Sequence, residues 1–346
     1  MIDVAIVGAG PAGSNCAYNL ARRGIHATLF DHSYPREKPC GGMMGVADIE
    51  AFSVLKNFPI EHSEVSLMRI ISPSQKIWNI DMSKNKLFGF SRMRFDQYIL
   101  NEALNEGANL IKEKVVGLQK KGESWRVITQ KGEYAVKTVV GADGVSSLIR
   151  KNIVGSLDQT DMGVCFGYIF KGVKEKNAII KFLSKIEGFM WVIPRGDNTS
   201  IGGGTSKIND LRELKDQVDL FSKTWHSPFE KISEWAALIP NVKNPRTLRL
   251  QAAGPDWILI GDAAGHVSPV RGIGIVYALK DGRMAAEAIA QGHVEQFNNM
   301  WAESYGKRLV LEARLRGIIY KRPKLESSCI ELSCMFMKLN SYISFA

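Results

Sequence analysis

Residues 2–13 read IDVAIVGAGPAG, an apolar run followed at once by glycines in the spacing Gly-x-Gly-x-x-Gly. A short continuous apolar run is typical of a buried strand. Gly8 permits the tight turn that follows, Gly10 lets the backbone approach a pyrophosphate, and Gly13 lets a helix pack closely against the strand. The stretch therefore predicts a strand, a phosphate-binding turn and a helix whose N-terminus faces negative charge.

The residues after this turn continue the same pattern. Residues 14–23 have helical composition, Gly24 ends that helix, and a second apolar run at residues 27–30 stops at Asp31. A carboxylate at the end of the second strand is placed to accept hydrogen bonds from ribose hydroxyls. This βαβ order predicts a dinucleotide site. The alternative is a glycine turn followed by a surface aspartate.

The composition is that of a globular chain. The 346 residues carry a formal net charge of +10, with 45% hydrophobic and 23% charged residues, which excludes a disordered or fibrous protein. The length predicts two domains or one large discontinuous unit.

No run supplies the ~20 apolar residues of a membrane span. The N-terminus lacks the basic lead of a signal peptide, and no nucleic-acid-binding signature is present, so we expect no nucleic-acid partner.

The cysteines are odd in number and scattered, and they are Cys16, Cys40, Cys165, Cys329 and Cys334. This pattern argues against a disulfide framework, and we expect a reducing, cytoplasmic compartment. The histidines show no metal-ligand spacing, so we expect no metal site.

Two later motifs repeat the combination of a strand end, glycine and an acid. Residues 140–150 read VGADGVSSLIR, with Asp143 in a turn of small residues. Residues 260–265 read IGDAAG and precede the glycines at 272 and 274, which open another helix at Ile275. Each motif alone is typical of a structural turn, whereas all three in this order indicate one nucleotide site. His266, directly after the third motif, is expected to be a structural hydrogen-bonding residue.

The pattern between the motifs predicts a second domain. Residues 68–90 alternate loosely, strand-like runs dominate residues 162–205, and helices are predicted over 211–223 and 228–238. The predicted class is α/β, with a nucleotide-binding domain interrupted by a mostly antiparallel sheet domain. We assign residues 1–65, 92–158 and 246–292 to the first domain, 66–91 and 159–245 to the second, and 293–346 to a C-terminal helical segment.

Residues 307–324 are strongly basic. Glu312 is the one acid in this stretch, and the basic residues are Lys307, Arg308, Arg314, Arg316, Lys321, Arg322 and Lys324. They alternate with aliphatic residues, which predicts a basic amphipathic helix. Such a helix suits contact with an acidic membrane surface, and the alternative is the solvated outer face of a packed helix.

The three glycine motifs resemble those of the FAD-dependent para-hydroxybenzoate hydroxylase superfamily, as does Arg92-x-x-Phe95-Asp96. Within that superfamily, residues 38–42, KPCGG, are similar to a loop of the geranylgeranyl reductases. Residues 188–196, GFMWVIPRG, resemble their Tyr-x-Trp-x-Phe-Pro-Lys-Gly substrate segment. The resemblance implies a Rossmann-like parallel sheet with a three-stranded crossover. It also implies an enzyme that saturates isolated double bonds of a prenyl chain on a lipid, diphosphate or quinone.

The resemblance assigns roles to individual residues. The FAD-binding residues it implies, taken with the motif acids, are Gly8, Gly10, Ala12, Gly13, Asp31, Cys40, Gly41, Met43, Arg92, Val115, Asp143, Gly261, Asp262, Gly274 and Ile275. Cys40 is also the candidate proton donor, with a small apolar filler as the alternative. The candidate substrate-lining residues are Phe189, Trp191, Ile193, Phe166 and Tyr168, with an ordinary core role as the alternative for each.

Other activities on the same fold stay open at this point. Residues 189–194, FMWVIP, differ by one residue from the Trp-x-Trp-x-Ile-Pro pattern of flavin-dependent halogenases, so a halogenase or monooxygenase is the alternative enzyme. A non-catalytic prenyl-binding protein is a third reading, and the intact glycines and Asp31 argue against it. The electron donor is open among NAD(P)H, ferredoxin and a deazaflavin, and so is the oligomeric state.

Overall fold

The structure of the protein is a computed structural model that describes residues 1–56, 58–224, 229–319 and 323–340. His226, Lys321 and Arg322, which the sequence analysis considers, lie outside the described residues. The strands, in chain order, are β1 (Ile2–Val7), β2 (Ala27–Phe30), β3 (Met43–Gly45), β4 (His62–Val65), β5 (Leu67–Ile71), β6 (Ile77–Asp81), β7 (Leu87–Phe90), β8 (Asn109–Ile111), β9 (Val115–Lys121), β10 (Ser124–Thr129), β11 (Glu133–Gly141), β12 (Met162–Lys171), β13 (Ala178–Phe182), β14 (Gly188–Pro194), β15 (Asn198–Thr205), β16 (Glu230–Pro240), β17 (Ala253–Gly254) and β18 (Trp257–Leu259).

The helices are α1 (Pro11–Ala21), α2 (Val46–Glu50), α3 (Arg92–Asn105), α4 (Leu148–Ile153), α5 (Leu211–Ser222), α6 (Ile275–Ala290), α7 (Phe297–Trp301), α8 (Lys307–Ile319) and α9 (Pro323–Asn340). A π-helical turn, Ala302–Gly306, joins α7 to α8.

The chain forms two compact units. Unit 1 comprises Met1–Arg36, Asp96–Asp161 and Pro240–Arg314, and unit 2 comprises Glu37–Phe95, Met162–Ile239 and Leu315–Ala346. Compactness thus groups residues 37–65 with unit 2, whereas the sequence analysis assigns them to the nucleotide-binding domain. Those functional domain boundaries stay a prediction.

Unit 1 is built on a parallel sheet. Its strand order is β17-β18-β11-β1-β2-β8, and β1 pairs in parallel with both β11 and β2. The antiparallel strands β9 and β10 precede β11, and these three strands form the predicted three-stranded crossover. Because both faces of such a sheet are covered, its central strands are mostly apolar, and Ala5, Val139 and Leu259 are completely buried in its core. The predicted Rossmann-like fold is confirmed.

Helices α1 and α6 pack against each other through small residues. A Cβ added at Gly282 would lie 2.5 Å from the carbonyl oxygen of Ala12 and 2.9 Å from the backbone nitrogen of Cys16. The Asn15 side-chain amide donates to the Leu279 carbonyl oxygen at 2.7 Å. The contact therefore depends on the absence of a side chain at residue 282.

Unit 2 is built on a mostly antiparallel sheet of order β16-β12-β15-β14-β13-β5-β6, with a small sheet β3-β7-β4. Strand β13 pairs in parallel with β5, and β12, β15 and β14 pair antiparallel. Helix α5 covers one face of this sheet through Leu214 and Val218, which are completely buried. The predicted antiparallel sheet is confirmed.

The prediction of a helix over residues 228–238 is wrong, because Glu230–Pro240 is strand β16. Its glutamate, lysine, alanine and leucine residues favour a helix in isolation. In the folded chain the segment lies at the edge of the sheet beside β12, and its burial alternates with a period of two. Tertiary pairing therefore overrides the local preference.

The predicted basic segment forms helix α8 and the start of α9. Leu309 and Ala313 are buried, whereas Leu311 and Leu315 are 54% and 42% exposed. Three basic residues of α8 are exposed, namely Lys307, Arg308 and Arg314, and Arg316 is buried. The exposed surface of α8 is thus both basic and apolar. Within the described residues, no helix combines the length and the apolar character needed to cross a membrane.

Candidate functional site

The turn after β1 depends on close backbone approach. Gly8 has φ +102°, and a Cβ added there would lie 2.3 Å from the carbonyl oxygen of Ala142. A Cβ at Gly13 would lie 2.0 Å from the Gly8 carbonyl oxygen. Any side chain would displace the backbone at either position. The first motif therefore packs directly on the second, which contains Ala142.

Asp31 is fixed against this turn. Its Oδ2 accepts a hydrogen bond from the Ala9 backbone N–H at 2.9 Å, and its Oδ1 accepts from the Ser33 backbone N–H at 2.8 Å. The side chain is only partly buried. Helix α1 begins at Pro11 with an uncharged first turn, and the N-terminal N–H groups of a helix attract phosphate oxygens. A carboxylate and a helix N-terminus thus lie at one turn.

The third motif packs against the first motif. Gly261 has φ +59°, and a Cβ added there would lie 3.1 Å from Ala12 Cβ and 3.4 Å from Ala278 Cβ. The first turns of α1 and α6 therefore meet at Gly261. A Cβ at Gly274, the residue before α6, would lie 3.7 Å from Asp262 Oδ1.

These contacts bring the first and third motifs into one cradle in unit 1, which we define as Gly8–Gly13, Asp31, Gly261–Asp262 and Gly274–Ile275, and Ala142 of the second motif packs against it. It combines two helix N-termini with two carboxylates, and at Gly8 and Gly13 the backbone leaves no room for a side chain. This donor and acceptor set fits a dinucleotide, since phosphates need N–H donors and ribose hydroxyls need acceptors.

Asp143 and Val115 have structural roles beside the cradle. The Asp143 carboxylate accepts from the backbone N–H of Leu148 at 2.7 Å and of Ile149 at 3.1 Å, so it caps helix α4. Burial raises the pKa of this carboxyl. Val115 begins β9 and packs against the core of the parallel sheet. A cofactor contact by either residue stays a prediction.

In unit 2, the loop that contains Cys40 is anchored by Glu37. Its carboxylate accepts from Arg195 Nη1 at 2.8 Å, from Ser91 Oγ at 2.9 Å and from the backbone N–H of Arg92 at 3.3 Å. The Arg195 side chain is 1% exposed. Glu37 thus ties the loop to the end of β14 and to the start of α3. The sequence analysis missed Glu37, although a basic residue at the end of the substrate segment signals an acidic partner.

The loop itself lies on the predicted substrate strand. A Cβ added at Gly41 would lie 2.5 Å from Ile193 Cδ1 and 3.5 Å from Trp191 Nε1. The Trp191 indole N–H donates to Ser200 Oγ at 3.0 Å, and that hydroxyl donates to the Cys40 carbonyl oxygen at 3.3 Å. The Cys40 backbone is therefore held by a chain of hydrogen bonds from β14 through β15.

An apolar group of side chains, which we call the Trp191 cluster, surrounds this contact. Its members are Cys165, Trp191 and Ile193, with Met43, Ile180, Phe189, Trp235 and Ile239 packed against them. The rings of Trp191 and Trp235 are 6.1 Å apart and nearly parallel, at 19°. The structure thus brings together Cys40, Gly41 and Met43 with Phe189, Trp191 and Ile193.

Glycines form the surface on which the two indoles lie. A Cβ at Gly202 would lie 2.9 Å from Trp191 Cζ2, and a Cβ at Gly167 would lie 2.7 Å from Trp235 Cζ2. We call Gly167, Gly202 and Gly204 the glycine floor. The sequence analysis missed both Trp235 and this floor; the run GGG at 202–204 was the available signal.

Phe166 and Tyr168 do not belong to the Trp191 cluster, and a substrate contact by either residue stays a prediction. Both pack in the core beneath α5, and the Tyr168 hydroxyl donates to Asp219 of that helix. Side chains alternate between the faces of a strand, so Cys165 and Gly167 of β12 face the Trp191 cluster. Phe166 and Tyr168 necessarily face the other way.

The model of the FAD binding domain family matches residues 1–309. A digeranylgeranylglycerophospholipid reductase of Methanococcus vannielii is 26% identical over 351 residues, which cover 92% of this chain and 87% of that protein.

Solved structures agree on the fold. A geranylgeranyl bacteriochlorophyll reductase-like protein from Thermoplasma acidophilum aligns with a TM-score of 0.81 at 22% identity, over 97% of this chain and 91% of that one. A flavin-dependent brominase aligns with a TM-score of 0.68 at 21% identity, over 95% and 94%. The family match covers the cradle and the Cys40 loop alike, and we conclude that the chain belongs to the FAD-binding-domain family and is an FAD-dependent oxidoreductase.

Proposed function

We propose that this protein is a reductase that saturates isolated double bonds of a geranylgeranyl-type chain on a lipid, a diphosphate or a quinone. The observation that supports the proposal most directly is that the Cys40 loop packs against the Trp191 cluster. The Cys40 carbonyl oxygen accepts from Ser200, and Gly41 lies against Ile193 and Trp191 of a buried apolar cluster. The names of the similar reductases support the same substrate class.

The cradle in unit 1 is proposed to bind the FAD. Asp31 and Asp262 would accept hydrogen bonds from hydroxyls of the cofactor, and the N-terminus of α1 would hold its phosphates. The N-terminus of α6, at Gly274 and Ile275, would stabilise negative charge on the reduced ring. Val115, Asp143, Arg92, Cys40, Gly41 and Met43 complete the proposed cofactor contacts.

The Trp191 cluster is proposed to bind the prenyl chain. An isolated alkene has no carbonyl to polarise, so the protein contributes by placing the double bond and by excluding water. Phe189, Trp191, Ile193 and Trp235 offer flat or branched apolar surfaces for this purpose. Phe166 and Tyr168 would act only indirectly, by supporting the sheet from its other face.

The reaction adds one hydride and one proton across the double bond. Reduced FAD, when bound, supplies the hydride. We propose that the Cys40 thiol gives the proton to the other alkene carbon, and that the resulting thiolate regains a proton from water. The Gly42 backbone N–H, which donates to Cys40 Sγ at 3.4 Å, would stabilise that thiolate. The electron donor that reduces the FAD stays open among NAD(P)H, ferredoxin and a deazaflavin.

The proposal is tested with anaerobic, dithionite-reduced protein. The protein is mixed with geranylgeranyl diphosphate or with extracted prenyl lipids, and the products are weighed by mass spectrometry. We expect products heavier by two hydrogens for each bond reduced. A product heavier by one oxygen or one halogen atom, formed only in air, would instead establish the second candidate function, which the brominase-like fold and the residues Phe189–Pro194 favour.

The role of Cys40 has its own test. Proton transfer by a positioned side chain contributes about a hundredfold or more to a rate. We therefore expect Cys40→Ala to lower the anaerobic rate of reduction by that factor while FAD still binds. A loss of less than about threefold would show that Cys40 only fills space beside the cluster. The buried Cys165→Ala, in the same cluster, is the matched control.

We also propose that α8 contacts the membrane that holds a lipid substrate. Its exposed leucines, Leu311 and Leu315, lie on the same helix as the exposed Lys307, Arg308 and Arg314. Apolar side chains with basic neighbours bind acidic lipid surfaces. Sedimentation with phosphatidylserine vesicles, but not with phosphatidylcholine vesicles, is the expected result, and no sedimentation with either leaves α8 as a solvated face.

A further inference from the structure

A buried group of three titratable side chains lies beside the third motif. Asp281 on α6 is completely buried, and His266 and Tyr305 are 1% and 4% exposed. The Asp281 carboxylate accepts from the Gly261 backbone N–H at 2.8 Å, from His266 Nδ1 at 2.8 Å and from the Tyr305 hydroxyl. One of these three donors is therefore the backbone of the cradle itself.

The hydrogen bonds of this group converge on Asp281. A carboxylate only accepts, so His266 donates to it when the imidazole proton is on Nδ1. The Tyr305 hydroxyl lies 3.0 Å from the same nitrogen. Burial and the charge of Asp281 raise the pKa of Tyr305 well above 10, so its hydroxyl stays a donor. All three donors thus point at one carboxylate.

Rigid aromatic packing holds the donors in place. The His266 ring lies 4.1 Å from the Trp301 ring, and the Tyr305 ring stacks on Tyr277 of α6 at 4.5 Å. Tyr305 lies in the π-helical turn Ala302–Gly306. Such turns are rare and occur frequently at functional sites.

We propose that Asp281, His266 and Tyr305 form a positioning network for FAD. The network holds Gly261 in its left-handed conformation through the Gly261 N–H. It thereby sets the direction of Asp262, the next residue, and the place where α1 and α6 meet. The inference deepens the proposed function, because it rests on the proposed contact of Asp262 with FAD.

Two conservative variants test the network. Tyr305→Phe removes one donor and leaves the ring in place. Asp281→Asn keeps the shape, since its amide oxygen can still accept from Gly261 and its amide nitrogen can donate to Tyr305, but the charge is lost. We expect each variant to weaken FAD binding about tenfold, which is the worth of one buried hydrogen bond to a charged group. We also expect each to change the visible circular dichroism of the bound flavin.

The matched control is Tyr277→Phe, which keeps the ring stacked on Tyr305 and loses only the contact of its hydroxyl with Arg271 at 3.1 Å. It should bind FAD within about twofold of the unmodified protein. A purely structural role would lower the melting temperature of the apoprotein and leave the FAD dissociation constant unchanged. That result, or an equal loss of affinity in Tyr277→Phe, would overturn the inference.

The variant Asp262→Ala distinguishes a failure of the positioning network from a failure of the proposed contact between Asp262 and FAD. If Asp262→Ala leaves FAD affinity unchanged, the proposed role of the turn fails, whatever the network does. If Asp262→Ala weakens binding and neither network variant does, the turn holds FAD and the positioning network alone is refuted.

Discussion

The cradle of unit 1 and the Trp191 cluster of unit 2 both depend on glycine, but what the missing side chains make room for differs. In the cradle, Gly8 and Gly13 are required because backbone atoms approach to within 2.3 and 2.0 Å of where a Cβ would be. In the cluster, a Cβ at Gly167 or Gly202 would meet an indole ring at 2.7 or 2.9 Å, and backbone atoms of the neighbouring strand at the same distances. The cradle uses glycine to bring main chains together, and the cluster uses it both to pair strands closely and to make room for rings.

The difference teaches where each region tolerates change. A cradle defined by main-chain contacts cannot relax around an added methyl group. The glycine floor can relax only on the side of the indoles, because a ring shifts more easily than the backbone of the neighbouring strand, which Gly167 and Gly202 also face. The two regions are also stabilised by different contacts. Main-chain carbonyl oxygens pack against the glycines of the cradle. The Cys40 loop is held by the ion pair between Glu37 and the buried Arg195.

The largest effect is expected at Gly13. In Gly13→Ala the new methyl group would overlap the Gly8 carbonyl oxygen, and the turn that holds the phosphates must move. We expect FAD affinity to fall by more than about a hundredfold, measured by flavin fluorescence on titration. Gly132→Ala is the matched control, since a Cβ there meets nothing within 4 Å. Unchanged affinity in Gly13→Ala would break the comparison.

The second largest effect, a loss of stability, is expected from a substitution at Glu37. Glu37→Gln leaves the buried Arg195 without its charged partner, and the Glu37 side chain is 25% exposed, so solvent screens part of the loss. We expect the free energy of unfolding to fall by about 2 kcal/mol, measured by urea denaturation. The control is Glu64→Gln, whose pair with Lys86 is about half exposed on both sides, and it should change stability by less than about 0.5 kcal/mol.

A smaller effect is expected at the glycine floor. Gly202→Ala would place its Cβ 2.9 Å from Trp191 Cζ2 and 2.9 Å from the Phe166 carbonyl oxygen, so the indole and the neighbouring strand must both shift. We expect a cost of about 1–2 kcal/mol in stability and an altered near-ultraviolet circular dichroism spectrum, while FAD affinity stays within about twofold. If FAD affinity falls as far as in Gly13→Ala, the two uses of glycine are not distinct.

The smallest effect concerns thiol reactivity. Burial raises the pKa of Cys16 in α1 to about 12, and only the thiolate reacts. At pH 8 its thiolate fraction is therefore about one in ten thousand, and the fraction increases as the pH rises toward that pKa. Iodoacetamide at pH 8 should label the partly exposed Cys40 and leave Cys16 unlabelled until urea unfolds the protein, as peptide mass mapping would show.

The sequence predicts the cradle far better than the cluster. The spacing from Gly8 to Gly13 and the position of Asp31 specify local backbone geometry, so the βαβ unit and the meeting of the motifs could be predicted. The cluster depends on strand register, which fixes the face on which each side chain lies. Without that register, Phe166 and Tyr168 could not be separated from Cys165, and β16, which carries Trp235, was predicted to be a helix.

Buried polar partners were equally hidden from the sequence. Glu37 and Arg195 lie far apart in the chain, and so do His266, Asp281 and Tyr305. Such pairs form only when the topology brings distant elements together, and a single sequence gives their residue types without their distances. The sequence nevertheless identified His266 as a hydrogen-bonding residue.

The nearly parallel rings of Trp191 and Trp235 also give unit 2 an optical property. The electronic transitions of two indoles 6.1 Å apart couple, and this coupling should produce a paired positive and negative band in the far-ultraviolet circular dichroism spectrum. A hydrocarbon tail that separated them would abolish this exciton couplet. Ligand entry could then be followed in real time without a label, even when no chemistry takes place.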